Sequence, residues 1–157
     1  MPATPSTTKP SVEHLVAQMR AAGLKITPQR LAVARELADD PSHPTAQELF
    51  DRLQPELPTM SFATVYNTLA AMADARLVTP RSLTPGGTRF DPNTDPHDHA
   101  VCDRCGRVSD IRQADEGPPS IPSGFRLRAV ERIYRGLCAP CATASSKTAA
   151  SAAGQAT

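Results

Sequence analysis

The stretch Arg89–Asp110, RFDPNTDPHDHAVCDRCGRVSD, decides how this chain is to be read. It holds two of the four histidines (His97, His99), two of the four cysteines (Cys102, Cys105) and five aspartates. The other cysteines, Cys138 and Cys141, repeat the C-x2-C spacing after an interval of 32 residues. Each such knuckle turns two thiolates toward one ion, so the pair predicts a closed tetrahedral zinc site with four sulfur ligands. The H-x-H ahead of the first knuckle offers imidazoles instead, with aspartates on both sides. Two metal sites are expected, one structural and one sensory.

A chain of 157 residues fits one or two small domains, and with 4% aromatics and no Trp its core must be aliphatic and modest. A zinc staple suits such a core. The net charge of +1 does not announce a nucleic-acid partner, so DNA binding would rest on locally placed Arg and Lys. No apolar h-region and no run of 18 apolar residues occurs, which predicts a cytosolic chain without signal peptide or membrane span. That weighs against pairing the cysteines as two disulfides of a secreted protein. A thioredoxin-like redox motif would need one C-x2-C at a helix start rather than two matched pairs.

Upstream of the stretch, LVTPRSLTPGGTRFD places β-type residues either side of Pro85-Gly86-Gly87, a hairpin signal. Before it, Ser61 caps a helix FATVYNTLAAMADARL with an apolar stripe of Phe62, Val65, Leu69 and Met72. Its other face carries Ser61, Ala63, Thr64, Tyr66, Asn67 and Thr68. A third helix starts at Thr45, with Glu48 completing a capping box, and buries Ala46, Leu49, Phe50 and Leu53. A second opens at Thr27-Pro28, and a first runs through Val12, Leu15, Val16 and Met19 to Gly23. Helix, Pro-containing turn, helix and hairpin in this order predict a winged helix-turn-helix. Asn67 can pair with adenine, and Ala63 and Thr64 can touch thymine methyls. Lys25, Arg30, Arg76, Arg81 and Arg89 could hold phosphates or reach a minor groove.

Downstream, alternation in HAVC, GRVSDI and FRLRAVERIYRGL predicts three short strands. The intervening QADEGPPSIPS offers little. The expected organisation is α+β, divided as a disordered N-terminus (1–10), a winged-helix DNA-binding domain (11–90), a metal-binding α/β dimerisation domain with a small three-stranded sheet (91–142) and a disordered tail (143–157).

TPQR (27–30), HPTA (43–46), MSFATVYNTL (60–69), RFD (89–91), HDHAVCDRCG (97–106) and GLCAPC (136–141) together resemble the ferric-uptake-regulator family of metal-dependent repressors. The resemblance runs in order from about residue 12 to 142. It implies a cytoplasmic homodimer that binds double-stranded DNA at an AT-rich inverted repeat, with Tyr66 of the recognition helix approaching the DNA. In the peroxide-responsive branch a regulatory metal is held by three His and two Asp, and the matching positions here are His43, Asp91, His97, His99 and Asp110. Imidazole with carboxylate suits Fe(II) or Mn(II) and leaves one position open. The branch also implies that peroxide oxidises His43 or His97. Other relatives often carry Glu where Asp91 and Asp110 stand, and a third-site His where this chain has Ala129 and Val130. The alternative is an iron- or manganese-availability repressor, and after these a zinc one, without peroxide sensing. A zinc hydrolase would need a base beside open zinc, as in H-x-E, whereas this chain has H-x-H and four cysteines already engaged, so no enzymatic role is expected.

Overall fold

The structure, a computed structural model, describes residues 9–38, 40–113, 119–128 and 130–144. Four helices come first: α1 Val12–Ala21, α2 Pro28–Leu37, α3 Ala46–Leu53 and α4 Phe62–Asp74. The hydroxyls of Ser11, Thr27, Thr45 and Ser61 each accept from the backbone N–H three residues on, so every helix starts at a capped end. In α3 the capping box is complete, Glu48 reaching back to the Thr45 N–H. After α1, Gly23 takes φ 77° and closes a Schellman turn, Leu24 N–H donating to Met19 O at 2.9 Å.

The apolar faces meet in one core of Leu15, Met19, Val33, Leu37, Leu49, Val65, Leu69 and Met72, joined by Phe90 from the hairpin. Two side chains depart from the expected faces of α4. Phe62, assigned to the apolar stripe, is 42% exposed, and Thr68, assigned to the open face, is buried with its hydroxyl donating to Thr64 O at 2.8 Å. Phe62 sits in the first turn, its ring edge-on to Phe50 and stacked against Tyr66. Phe50 is likewise only partly buried.

The hairpin is β1 Thr79–Thr84 with β2 Gly87–Asp91, antiparallel, with an irregularity between Arg81 and Thr84. β2 also ties back to the chain before α3: Phe90 N–H donates to Pro44 O at 3.0 Å, and Thr45 forms a bridge with Arg89. A second sheet has the order β4-β3-β5, with β3 Asp98–Cys102, β4 Val108–Ile111 antiparallel to it, and β5 Ile133–Gly136 parallel to it. Leu83 of β1 packs on Val101 and Val108 of this sheet. Arg135 donates to Leu83 O at 3.2 Å across the same contact.

The long strand expected over FRLRAVERIYRGL is shorter than its alternation implied, since only Ile133–Gly136 pairs; Phe125 and Leu127 lie in exposed irregular chain. Residues 1–8, 114–118 and 145–157 lie outside the described residues, and with them most of the expected disordered ends. Within those ends, however, Lys9 is buried and residues 143–144 belong to a helical turn, 139–144. Among the described residues no helix is long and apolar enough to cross a membrane.

Candidate metal centres and DNA-facing surface

The four cysteines come together. Their Sγ atoms all lie within 4.8 Å of one another, and Cys105 and Cys138 are 3.7 Å apart. Zinc–sulfur bonds of about 2.3 Å in a tetrahedron place sulfurs about 3.8 Å apart, so the cluster has the size of that ion's shell. Cys102 ends β3, and a turn closed by Gly106 N–H to Cys102 O (2.9 Å, Gly106 at φ 71°) brings Cys105 round beside it. Cys138 and Cys141 lie at the start of the 139–144 turn, delivered by β5, which runs parallel to β3. Backbone N–H groups, that of Cys138 foremost and then Cys105 and Arg104, pull the Cys102 thiol down to about 6. Hydrogen bonding with the neighbouring thiols, Cys138 first, pushes Cys141 up to about 12. Four crowded sulfurs resist shedding all their protons unless a cation compensates.

The second cluster draws on four segments. His43 precedes α3, Asp91 ends β2, His97 and His99 lie one alternation apart entering β3, and Asp110 of β4 stands directly opposite His99. One donor atom from each lies within 4.8 Å of all the others. The Nε2 atoms of His97 and His99 are 3.0 Å apart, His97 Nε2 is 2.8 Å from Asp91 Oδ2, and His43 Nε2 is 2.6 Å from Asp110 Oδ1. For ligand bonds of roughly 2.1 Å, adjacent ligands of an octahedral ion stand about 3.0 Å apart, so the spacing suits a first-row dication.

The imidazoles are turned for coordination. His97 Nδ1 donates to Asp95 O at 2.7 Å and His43 Nδ1 to Pro41 O at 3.1 Å. A ring nitrogen facing a carbonyl must carry a proton, so Nε2 is the atom turned to the shared centre; here it meets a carboxylate, and once deprotonated it would offer its lone pair to a metal. Two successive Asx turns, Asn93 N–H to Asp91 Oδ1 and Asp95 N–H to Asn93 Oδ1, lead the chain from β2 to His97. Burial opposes charge on Asp91, but hydrogen bonds from His97 and His99 and the nearby Lys9 outweigh it and hold the carboxyl well below the usual range. Asp110 is lowered in the same way, against burial, by His43 and Lys9. His97 is raised, hydrogen bonding to Asp91 overcoming its burial.

Two supporting residues escaped the sequence reading. Arg89, expected among phosphate-holding residues, turns inward: its guanidinium donates to His43 O at 2.9 Å and to Thr84 Oγ1 at 3.1 Å, and pairs with Glu48 at 3.2 Å. His43 adopts φ 51°, a left-handed backbone that a non-glycine residue holds only under constraint, and Arg89 grips its carbonyl. Arg81, also expected on DNA, pairs with Glu131 at 2.7 Å and brings Nε to 3.8 Å from Asp91. No single-sequence signal marks either arginine as inward-facing. Lys9 is the third surprise, and its contacts are described below.

The remaining DNA candidates face outward. Ala63, Tyr66 (53% exposed) and Asn67 form one open face of α4, with Thr64 at its edge. Ser61 is exposed but has its hydroxyl engaged by Thr64. Lys25 and Arg76 are exposed, and Arg30 spans Lys25 and α2 by donating to Lys25 O. Of the former third-site positions, Val130 is among the described residues and Ala129 is not.

Residues 21–118, more than half of the chain, match the family model described as "Ferric uptake regulator family". The chain belongs to the ferric uptake regulator family. It is 41% identical over 107 residues, 67% of this chain and 71% of the relative, to the peroxide-responsive repressor PerR of Staphylococcus epidermidis. Among solved structures it resembles the Vibrio cholerae ferric uptake regulator (29% identity, TM-score 0.59, covering 78% of this chain and 98% of that one). A Pseudomonas aeruginosa ferric uptake regulator solved with manganese gives 25% identity and a TM-score of 0.59, covering 79% and 97%. The two donor sets accord with this membership: a thiolate site for structural zinc, and a His/Asp site for Fe(II) or Mn(II).

Proposed function

We propose that the chain is a homodimeric, metal-dependent transcriptional repressor that senses hydrogen peroxide, with His43, Asp91, His97, His99 and Asp110 holding Fe(II) or Mn(II). Cys102, Cys105, Cys138 and Cys141 hold structural zinc. The observation that carries this reading is the convergence of three imidazole Nε2 atoms and two carboxylates from four separate segments. A closed ring of contacts between the loop before α3, the hairpin and the second sheet fixes how α4 is presented, and with it the half-site spacing that a two-fold operator requires. Exposed Ile133, Tyr134 and Leu137 on and beside the edge strand β5 support a partner copy there. The open face of α4, Ala63, Thr64, Tyr66 and Asn67, reads an AT-rich inverted repeat, while Lys25, Arg30 and Arg76 meet phosphates.

Bound Fe(II) supplies one-electron chemistry toward peroxide. The chain's part is to hold the imidazoles at that centre, with the Nδ1 protons of His43 and His97 fixed on carbonyls. Oxidation of His43 or His97 adds one oxygen at the ring carbon between the nitrogens, the second peroxide oxygen leaving as water. The altered ring no longer presents the same lone pair, and the segments separate. Resemblance to a peroxide-responsive repressor supports this branch, as do the two aspartates. Iron-loaded protein treated with peroxide should gain one oxygen on the peptide containing His43 or His97 and lose its operator. Oxygen found only on cysteine or methionine, with release by chelator alone, would leave a metal-availability repressor in its place.

A further inference from the structure

The five donors share their cavity with a sixth group. Lys9 Nζ lies 2.6 Å from Asp91 Oδ1, 3.0 Å from Asp110 Oδ2 and 3.0 Å from His43 Nε2, and its side chain is only 6% exposed. An ammonium has three N–H donors and no acceptor. Asp91 and Asp110, both read as metal ligands, accept two of them, and His43 Nε2, itself 2.6 Å from Asp110 Oδ1, lies against the same ammonium.

We propose that Lys9 is a tethered cation that competes with the divalent ion for this site, so that docking of the short arm at Lys9 and Pro10 and metal binding exclude each other. The proposal rests on the five-ligand reading. Two carboxylates bring two negative charges, and Lys9 together with Arg81, whose Nε is 3.8 Å from Asp91, balances them. A dication seated among the same oxygens would face an ammonium at contact distance in a buried site, where like charges repel strongly. One cation must withdraw. Arg81 is built into β1 and paired with Glu131, whereas Lys9 precedes the α1 cap at Ser11 and lies outside every helix and strand. The arm therefore yields. While docked, it keeps Asp91 and Asp110 paired and holds the site near its assembled shape. It also lowers the apparent metal affinity by the fraction of molecules in which it is seated.

The experiment uses Mn(II) as the probe on the full chain. Acetylation of lysines, followed by mass spectrometry, should show Lys9 protected relative to exposed Lys25 in EDTA. Mn(II) should raise the Lys9 rate by about tenfold or more and leave Lys25 unchanged. In calorimetric titrations Lys9→Met should bind Mn(II) about tenfold more tightly than wild type, with Lys9→Arg close to wild type. If wild type binds Mn(II) and His97→Ala does not, yet Lys9→Met matches wild type and Lys9 labelling ignores the metal, competition by Lys9 alone is overturned. If wild type binds no Mn(II), the ligand reading falls and takes this inference with it. The labelling arm needs no variant, so a poorly folding Lys9→Met still leaves a decision.

Discussion

Replacing Arg89 by alanine should weaken metal binding although Arg89 touches none of the five donor atoms. The guanidinium donates to the carbonyl of His43 at 2.9 Å, with a longer contact to Ser42 O at 3.4 Å, and anchors on Thr84 and Glu48. A hydrogen bond from a charged donor contributes about 1.5–3 kcal/mol. The left-handed backbone of His43 costs about 1–2 kcal/mol. The two are comparable, so the clamp is what makes that conformation affordable, and without it the loop relaxes and swings the imidazole out of line. Loss of an orienting partner outside the ligand set typically costs about 10–100-fold in metal affinity. Glu48 Oε2 is shared between Arg89 and the Thr45 N–H, and the cap keeps that oxygen when the arginine is removed. Mn(II) titrations of wild type, Arg89→Ala, His43→Ala and the double variant decide the matter. Arg89→Ala should fall about 10–100-fold, and the double variant should equal His43→Ala, because Arg89 acts only through His43. Independent, additive losses, or an Arg89→Ala constant like wild type, would refute the clamp.

Four further outcomes follow. Burial opposes charge on Asp40, but hydrogen bonds from Ser42 and Arg52 outweigh it and hold the carboxyl below its usual value, so its contribution is complete above about pH 4 and is lost as pH falls through the lowered value; Asp40→Asn should cost about 1 kcal/mol in denaturant melts at pH 7 and progressively less in acid. Arg76 takes φ 58° where α4 ends, so Arg76→Gly should raise stability by about 1 kcal/mol while reducing the salt slope of operator binding by about one, read by melting and by binding at several salt concentrations. Cys138→Ser, or stripping zinc with a strong chelator, should remove hydrogen-exchange protection from β3 and β5 while α1 to α4 keep theirs. Asn67→Ala should weaken operator binding by about 1–3 kcal/mol in fluorescence anisotropy with Mn(II) affinity unchanged.

How much of this was readable from the chain depends on which physics each residue obeys. Three helix starts were legible because Thr27, Thr45 and Ser61 act locally, within three residues of the groups they cap; the Ser11 cap was seen only in the structure. The cysteine cluster was legible because ligand chemistry restricts residue type and spacing; the other cluster showed itself only as H-x-H among aspartates, and its full set, His43 above all, came from the family resemblance. Strand length after Pro122 was not: alternation in FRLRAVERIYRGL marks a chain able to pair, while pairing itself needs a neighbour, and β3 offers one to only four residues. Arg81 and Arg89 were misjudged, and Lys9 passed over, for a related reason. A basic side chain reads as solvent- or phosphate-facing unless its partner is known, and their partners are 82, 50 and 46 residues away.

The contrast between the two clusters explains why one chain carries both. The four cysteines hang from β3, the turn after it and the segment after β5, elements already locked to one another by the parallel ladder from His99–Ile133 to Cys102–Gly136. Nothing in that set has to move for the site to form, which is what a permanent staple needs. The His/Asp set is assembled otherwise. His99 and Asp110 belong to the second sheet and His97 stands just ahead of it, Asp91 follows the core residue Phe90, and His43 stands in a strained loop that depends on one arginine. Elsewhere the hairpin meets the sheet through Leu83 against Val101 and Val108, a contact of three small aliphatic residues and one carbonyl hydrogen bond. Burial of so little apolar surface contributes only a few kcal/mol, at about 25 cal/mol per Å². On the reading proposed above, a dication held from both sides would reinforce this slight contact, and its loss would leave the contact alone to hold the hairpin to the sheet.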